Sequence, residues 1–175
     1  MKNLRARAID DAGIAYAIVG AMALNSYGYE RVTEDVDVLL TRDGLERFKG
    51  VNLGRGYVER FPGSKGMRDT VNGVAIDVLV AGEYPGDRLP KPVAFPDPAG
   101  TAIRGPRVAV LALPRLIELK LASGMTAPHR LKDLADVLEL VKAAHLGREL
   151  VAELDPYVRA KFLELWSAAQ HSDDA

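Results

Sequence analysis

Cysteine is absent from this chain. That excludes disulfides, thiolate nucleophiles and cysteine-ligated zinc. Net charge is nearly absent as well: 23 Lys and Arg against 24 Asp and Glu leave -1 at pH 7. The molecule as a whole therefore has no general pull toward nucleic acid or anionic membrane, and any such affinity must come from a local patch. No stretch is long and apolar enough to span a bilayer, and the opening MKNLRARAIDDAG has no signal-peptide core. No internal repeat is visible. The expectation is a cytoplasmic protein with no membrane partner. What is present is 175 residues, 48% of them apolar, enough to bury a core in one domain with a small appendage.

The chain reads as an α/β core followed by a helical part. Residues 3–12 form an amphipathic helix closed by Gly13, and IAYAIV (14–19) reads as a strand. Gly20 opens a helix, AMALNSY, that stops at Gly28. DVDVLL (35–40) is a second strand and RDGLERFKG (42–50) a helix. YVERF and MRDTV read as strands around the turn PGSKG. Asn72-Gly73 is the strongest hairpin signal and leads into VAIDVLV (74–80). Five of the ten prolines fall between Glu83 and Gly100, which makes that segment a surface loop. TAIRG and RVAV suggest a small closing hairpin.

From Pro114 the character changes. PRLIELKLASG reads as a helix with Pro in its first turn and Gly124 at its end. Pro128 starts another, reaching about Ala144, with Leu131, Leu134, Leu138 and Val141 as its apolar face. Asp155-Pro156 caps a last helix with Val158, Phe162, Leu165, Trp166 and Ala169 on one side. The tail HSDDA is expected to be loose. The division expected is 1–112 for the α/β core and 113–172 for a helical region packed on it.

Asp35 and Asp37 stand two apart in a strand and so point to one face, with Val36, Val38 and Leu40 on the other. In VAIDVLV the apolar Val74, Ile76, Val78 and Val80 oppose Asp77. If the two strands are neighbours with apolar faces aligned, three carboxylates converge, at Cβ separations of roughly 4.5–5.5 Å for directly opposed residues. Anions that close repel, and a divalent cation relieves the conflict. Mg2+ suits this set, because it takes one or two carboxylates and completes its shell with water and substrate phosphate. Asp-x-Asp by itself also fits solvated strand ends, calcium loops and metal-dependent glycosyltransferases. The calcium loop lacks support here: Val36, Val38, Leu39 and Leu40 make a strand, and the Gly and distal Glu are missing.

Strand, Gly20, then helix is a geometry that accepts phosphate on backbone N–H groups. It is also simply a common turn. Its weight lies in the fifteen residues to Asp35, room for one short helix and a return to the same cleft.

The segment VGAMALNSYGYERVTEDVDVLL resembles the signature of the DNA polymerase beta-like nucleotidyltransferases, and Asp77 in VAIDVLV matches their third Asp on a later strand. Gly28, Arg31, Thr33, Asp35 and Asp37 are most similar to the minimal nucleotidyltransferases related to AbiEii-type toxins. LPRLIELKLASG and PHRLKDLADVLELV resemble the lysine helix and the Arg-x-x-Asp helix of that group. The resemblance spans roughly residues 14–142. Ala21 departs from it, standing where Gly or Ser is usual, which removes a hydroxyl contact to phosphate but keeps the backbone N–H.

The resemblance implies a small mixed-sheet nucleotidyltransferase core followed by a C-terminal helical bundle. It implies catalytic and metal-binding roles for Asp35, Asp37 and Asp77, with Mg2+ or Mn2+ as cofactor. Nucleotide contacts fall to Gly20, Ala21, Lys120, Arg130 and Asp133. Lys120 on its own reads either as a snorkelling surface lysine or as a group reaching into the cleft; with the resemblance it becomes a phosphate ligand whose removal leaves stability almost unchanged. Arg130 and Asp133 are either a surface i,i+3 pair or a triphosphate contact with its orienting carboxylate. Arg31 holds the loop before Asp35 or touches phosphate, and His129 reads as structural. Arg60, Lys65 and Arg68 form a basic strip, either a solvated hairpin or an RNA contact. The expected reaction moves an NMP from an NTP such as ATP to an acceptor hydroxyl on RNA, tRNA or protein, within a toxin–antitoxin pair that includes a cognate antitoxin. The alternatives are a small-molecule (antibiotic) nucleotidyltransferase, against which the basic strip argues mildly, a degenerate nucleotide-binding or antitoxin-like domain, and a metal-dependent glycosyltransferase, for which the chain is short.

Overall fold

The computed structural model of the chain describes residues 6–171. The first three residues of the expected 3–12 helix, and the expected loose tail beyond His171, lie outside them. In chain order the elements are α1 (Ala6–Asp11), β1 (Tyr16–Val19), α2 (Gly20–Ser26), β2 (Asp35–Leu40), α3 (Arg42–Asn52), β3 (Tyr57–Glu59), β4 (Met67–Asp69) and β5 (Val74–Val80). They continue with α4 (Pro98–Thr101), β6 (Ala102–Arg104), β7 (Ala109–Leu111), α5 (Leu113–Thr126), α6 (Leu131–Ala143) and α7 (Pro156–His171). Short 3-10 turns precede α6 and α7.

The strands form one seven-stranded mixed sheet in the order β3-β4-β5-β2-β1-β7-β6. β2 lies parallel to β5 and β1 parallel to β7, while the other neighbours are antiparallel. Asn72-Gly73 does turn the chain between β4 and β5, but within a four-residue connection. Asp69 organises it: its carboxylate accepts the Val71 and Asn72 N–H groups and the Asn72 side-chain amide. Gly73 takes φ +68, a region that favours glycine.

Alternation along the strands divides the interior in two. Ile18, Val36, Val38, Leu40, Ile76 and Val78 pack with Ile9 of α1 and Leu45 and Phe48 of α3. Ala17, Val19, Leu39 and Leu111 pack on the opposite face with Leu24 of α2, Leu116 and Leu121 of α5, Leu140 of α6 and Phe162 of α7. The sheet is thus covered on both faces, and the central strands β2 and β5 carry aspartates on the second of them.

Two sequence expectations change. Gly124 does not end its helix: α5 runs on to Thr126, and a Cβ at Gly124 would lie 2.5 Å from the Leu134 side chain. The glycine is there so that α5 and α6 can approach closely. Leu131 is not on the buried face of α6. It is 64% exposed, and the buried face is Asp133, Asp136, Val137, Leu140 and Val141. Tertiary packing rotates that helix so that two aspartates point inward.

Candidate active site

The register settles which carboxylates meet. Asp37 is the direct partner of Asp77 across the parallel β2–β5 ladder, and Asp35 is opposite Ala75. All three share the sheet face that carries Leu39 and, one strand over, Val19. Asp35 is exposed; Asp37 and Asp77 are half-buried. Burial, and then the charges of Asp77 and Asp35, raise the Asp37 pKa above the usual carboxylate value, while Lys120 and Arg130 pull it back down.

Gly20 sits against this carboxylate. It has φ +63, and a Cβ there would lie 1.9 Å from Asp37 Oδ2. Only glycine allows the start of α2 to touch the acid. The residue before it, Val19, supplies no side-chain cap to α2, so no side chain occupies the amides of the first turn from the cap position. Ala21, the next residue, is buried.

The cations whose charges reach Asp37 belong to an ionic cluster with a buried centre. Lys120 is only 7% exposed; its ammonium donates to Asp136 at 2.8 Å and to Asp133 at 3.1 Å. Asp133 also accepts from Ser123 Oγ at 2.7 Å and Arg130 Nε at 2.9 Å. Arg31 reaches in from the loop before β2 and donates to Asp136 at 2.6 Å. Burial works to raise the Asp133 carboxyl, but Lys120, Ser123 and Arg130 outweigh it and hold the pKa below its ordinary value. Three cations face two anions, so the cluster keeps an excess positive charge, and the charges of Lys120 and Arg130 reach Asp37.

This cluster corrects the surface readings. Lys120 is not a snorkelling lysine, and the Arg130–Asp133 pair is not a surface pair, since Asp133 is buried. Arg31 does hold the loop before Asp35: its backbone is also clasped by Asn25, which accepts its N–H and donates to its carbonyl. His129 is exposed in the 3-10 turn before α6. The basic strip is exposed, but two of its three members are ion-paired. Arg60 pairs with Asp77 at 2.8 Å and Lys65 pairs with Glu83, while Arg68 is exposed. Sequence reasoning missed Asp136. Its signal was present, as a charge at a position that shares a helical stripe with Val137 and Leu140.

The donor set is all carboxylate oxygen, which suits a hard cation such as Mg2+ or Mn2+. Among the described residues no three acidic or histidine side chains form a ready-made metal cage. Burial first, and then the charge of Asp77, disfavours an ionised Asp37; with no cationic side chain bonded to Asp35 or Asp37 among the described residues, this fits a cation held by that pair and completed by other ligands.

No family model matches the chain, and no curated protein matches it. Solved structures do. The crystal structure of ANT(2'')-Ia in complex with adenylyl-2''-tobramycin aligns with TM-score 0.57 and 16% identity, over 90% of this chain and 92% of that one. The solution structure of the same antibiotic-resistance factor aligns with TM-score 0.56 and 16% identity, over 96% and 92%. JHP933 from Helicobacter pylori aligns with TM-score 0.49 and 18% identity, over 95% and 87%. At these identities the likeness is one of fold: over nearly its whole length, the chain is built as the nucleotidyltransferase ANT(2'')-Ia is built.

Proposed function

We propose that this protein is a metal-dependent nucleotidyltransferase. One observation carries the reading: Asp37 faces Asp77 across paired strands, with the Gly20 backbone pressed against it and the charges of Lys120 and Arg130 within electrostatic reach. Acidic groups for a cation, backbone amides and a cationic wall are the parts that positioning a nucleoside triphosphate requires.

In this reading Asp35 and Asp37 hold Mg2+ or Mn2+, which when bound supplies charge to the phosphate oxygens at which negative charge develops. The Gly20 and Ala21 amides and the Lys120, Arg130 and Arg31 cluster bind and orient the triphosphate, and Asp133 and Asp136 fix those cations in place. The acceptor hydroxyl gives its proton to Asp77 as its oxygen bonds to the α-phosphorus. The bond from that phosphorus to the bridging oxygen breaks, and pyrophosphate leaves.

An RNA, tRNA or protein hydroxyl, in a toxin with a cognate antitoxin, is the first reading and rests on the AbiEii-type motif pattern. A small cationic acceptor is the second. It is favoured by the pairing of Arg60 with Asp77 and of Lys65 with Glu83, which reduces the charge that argued against it. The neighbour with the adenylated tobramycin product matches along nearly its full length.

The test is to incubate the protein and Mg2+ with each α-labelled NTP, separately with tRNA, cell protein and a set of aminoglycosides. Label in one acceptor pool, absent with Asp37→Asn, is the expected result. No transfer to any pool, with triphosphate and Mn2+ binding also absent, would sink the proposal.

A further inference from the structure

The Arg60–Asp77 pair stands apart from every other ion pair among the described residues, because its acid is the direct cross-strand partner of Asp37. Arg60 follows β3 directly, in the hairpin between β3 and β4. That hairpin is fastened at several points. The Arg60 N–H donates to Gly66 O at 3.2 Å, Lys49 bonds both Glu59 and the Ser64 carbonyl, and Glu59 accepts the Gly63 N–H at 2.9 Å. Gly66 leaves room for the arginine stem: a Cβ there would lie 3.2 Å from Arg60 Cδ and 3.3 Å from Nε. The guanidinium is therefore delivered to Asp77 from a fixed base.

We propose that Arg60 is a built-in counter-cation for Asp77, so that the nucleotide-free protein takes its divalent cation on Asp35 and Asp37 alone and Asp77 joins only when Arg60 leaves it. The inference rests on the metal-site reading above. The physical reason is competition: a carboxylate neutralised by a guanidinium at 2.8 Å offers little to a metal, and the guanidinium itself repels one. Both side chains are about two-fifths exposed, 38% and 40%, so the pair is soft enough to open. Arg60 is thus a positioning residue, acting on the site through Asp77.

The consequence is a dependence between two substitutions that can be read without catalysis. Mn2+ is titrated into nucleotide-free wild type, Arg60→Gln, Asp77→Asn and the double variant, following the electron paramagnetic signal of the free hydrated ion. Gln keeps most of the stem and removes the charge. Arg60→Gln should bind Mn2+ about three- to tenfold more tightly than wild type. Asp77→Asn should cost several-fold more affinity in the Arg60→Gln background than in wild type, because only there is Asp77 free to take the ion. Equal affinity for wild type and Arg60→Gln overturns the inference and leaves the metal site standing. So does an Asp77→Asn loss that is the same in both backgrounds. Absence of Mn2+ binding in all four proteins overturns the inference together with the reading beneath it. Matching thermal melts verify that the four proteins are folded.

Discussion

Gly20 has no side chain, and the site is built around that fact. The contact between the start of α2 and Asp37 exists because nothing separates backbone from carboxylate. At the acid itself, burial and two neighbouring acids disfavour the charged form. Its folded pKa lies above its unfolded value, so the ionised carboxylate costs stability at neutral pH. Asp37→Asn should therefore raise the melting temperature of the metal-free protein at pH 7. The gain should fade as pH falls through the raised folded value and be gone below about 4, where the unfolded acid is protonated too. Nucleotidyl transfer should fall by more than the roughly 10- to 100-fold that outer metal-shell substitutions cost. Calorimetric melts from pH 3.5 to 8 check the first part and labelled-NTP assays the second. A variant less stable than wild type at pH 7 would show Asp37 to be structural.

Among the elements, α5 and α6 carry the strongest departure from the sequence reading. Lys120, taken from its pattern as removable at little cost, ties both helices together through Asp133 and Asp136. Removing it leaves two buried carboxylates without their shared partner, which costs about 3–5 kcal/mol. Lys120→Met should therefore lose both triphosphate binding and stability, where a pure phosphate ligand would lose only the first. The pH course gives the sign. Asp133 has a folded pKa below its unfolded value, so its stabilisation is present above about pH 4 and is lost as pH falls through the folded value. The gap between wild type and Lys120→Met should be widest at neutral pH and close toward pH 3 in urea titrations. Equal stability at pH 7 would remove the cluster from the fold. The reason this was illegible in sequence is concrete. Lysine on an apolar helix face looks the same whether its head meets water or two acids from a helix eleven or more residues away.

For the whole molecule, the interior on one sheet face joins residues of β1 and β2 to residues of α5, α6 and α7. Leu39 and Phe162 belong to one apolar cluster although they are far apart in the chain. The 1–112 and 113–172 segments should therefore unfold together. The single tryptophan, Trp166, reports on the helical part, since its indole N–H donates to the Leu146 carbonyl at 2.9 Å. Its fluorescence and the far-ultraviolet circular dichroism should give the same urea midpoint, within about 0.2 M, in one transition. An earlier fluorescence midpoint would mean that the helices form a separate unit.

Sequence alone determined the strands at 35–40 and 74–80 to the residue, the sharing of one face by Asp35 and Asp37, and the glycine that opens α2. Each is a local property: alternation with period two, and a turn that needs positive φ, are written in adjacent residues. Tertiary structure decided the rest. The β2–β5 register sets Asp37, not Asp35, opposite Asp77. The rotation of α6 turns Asp133 and Asp136 inward to Lys120 and Arg31. The β3–β4 hairpin lays Arg60 on Asp77. These are pairings between distant segments, chosen by which apolar faces must be buried together, and no window of the chain contains both partners.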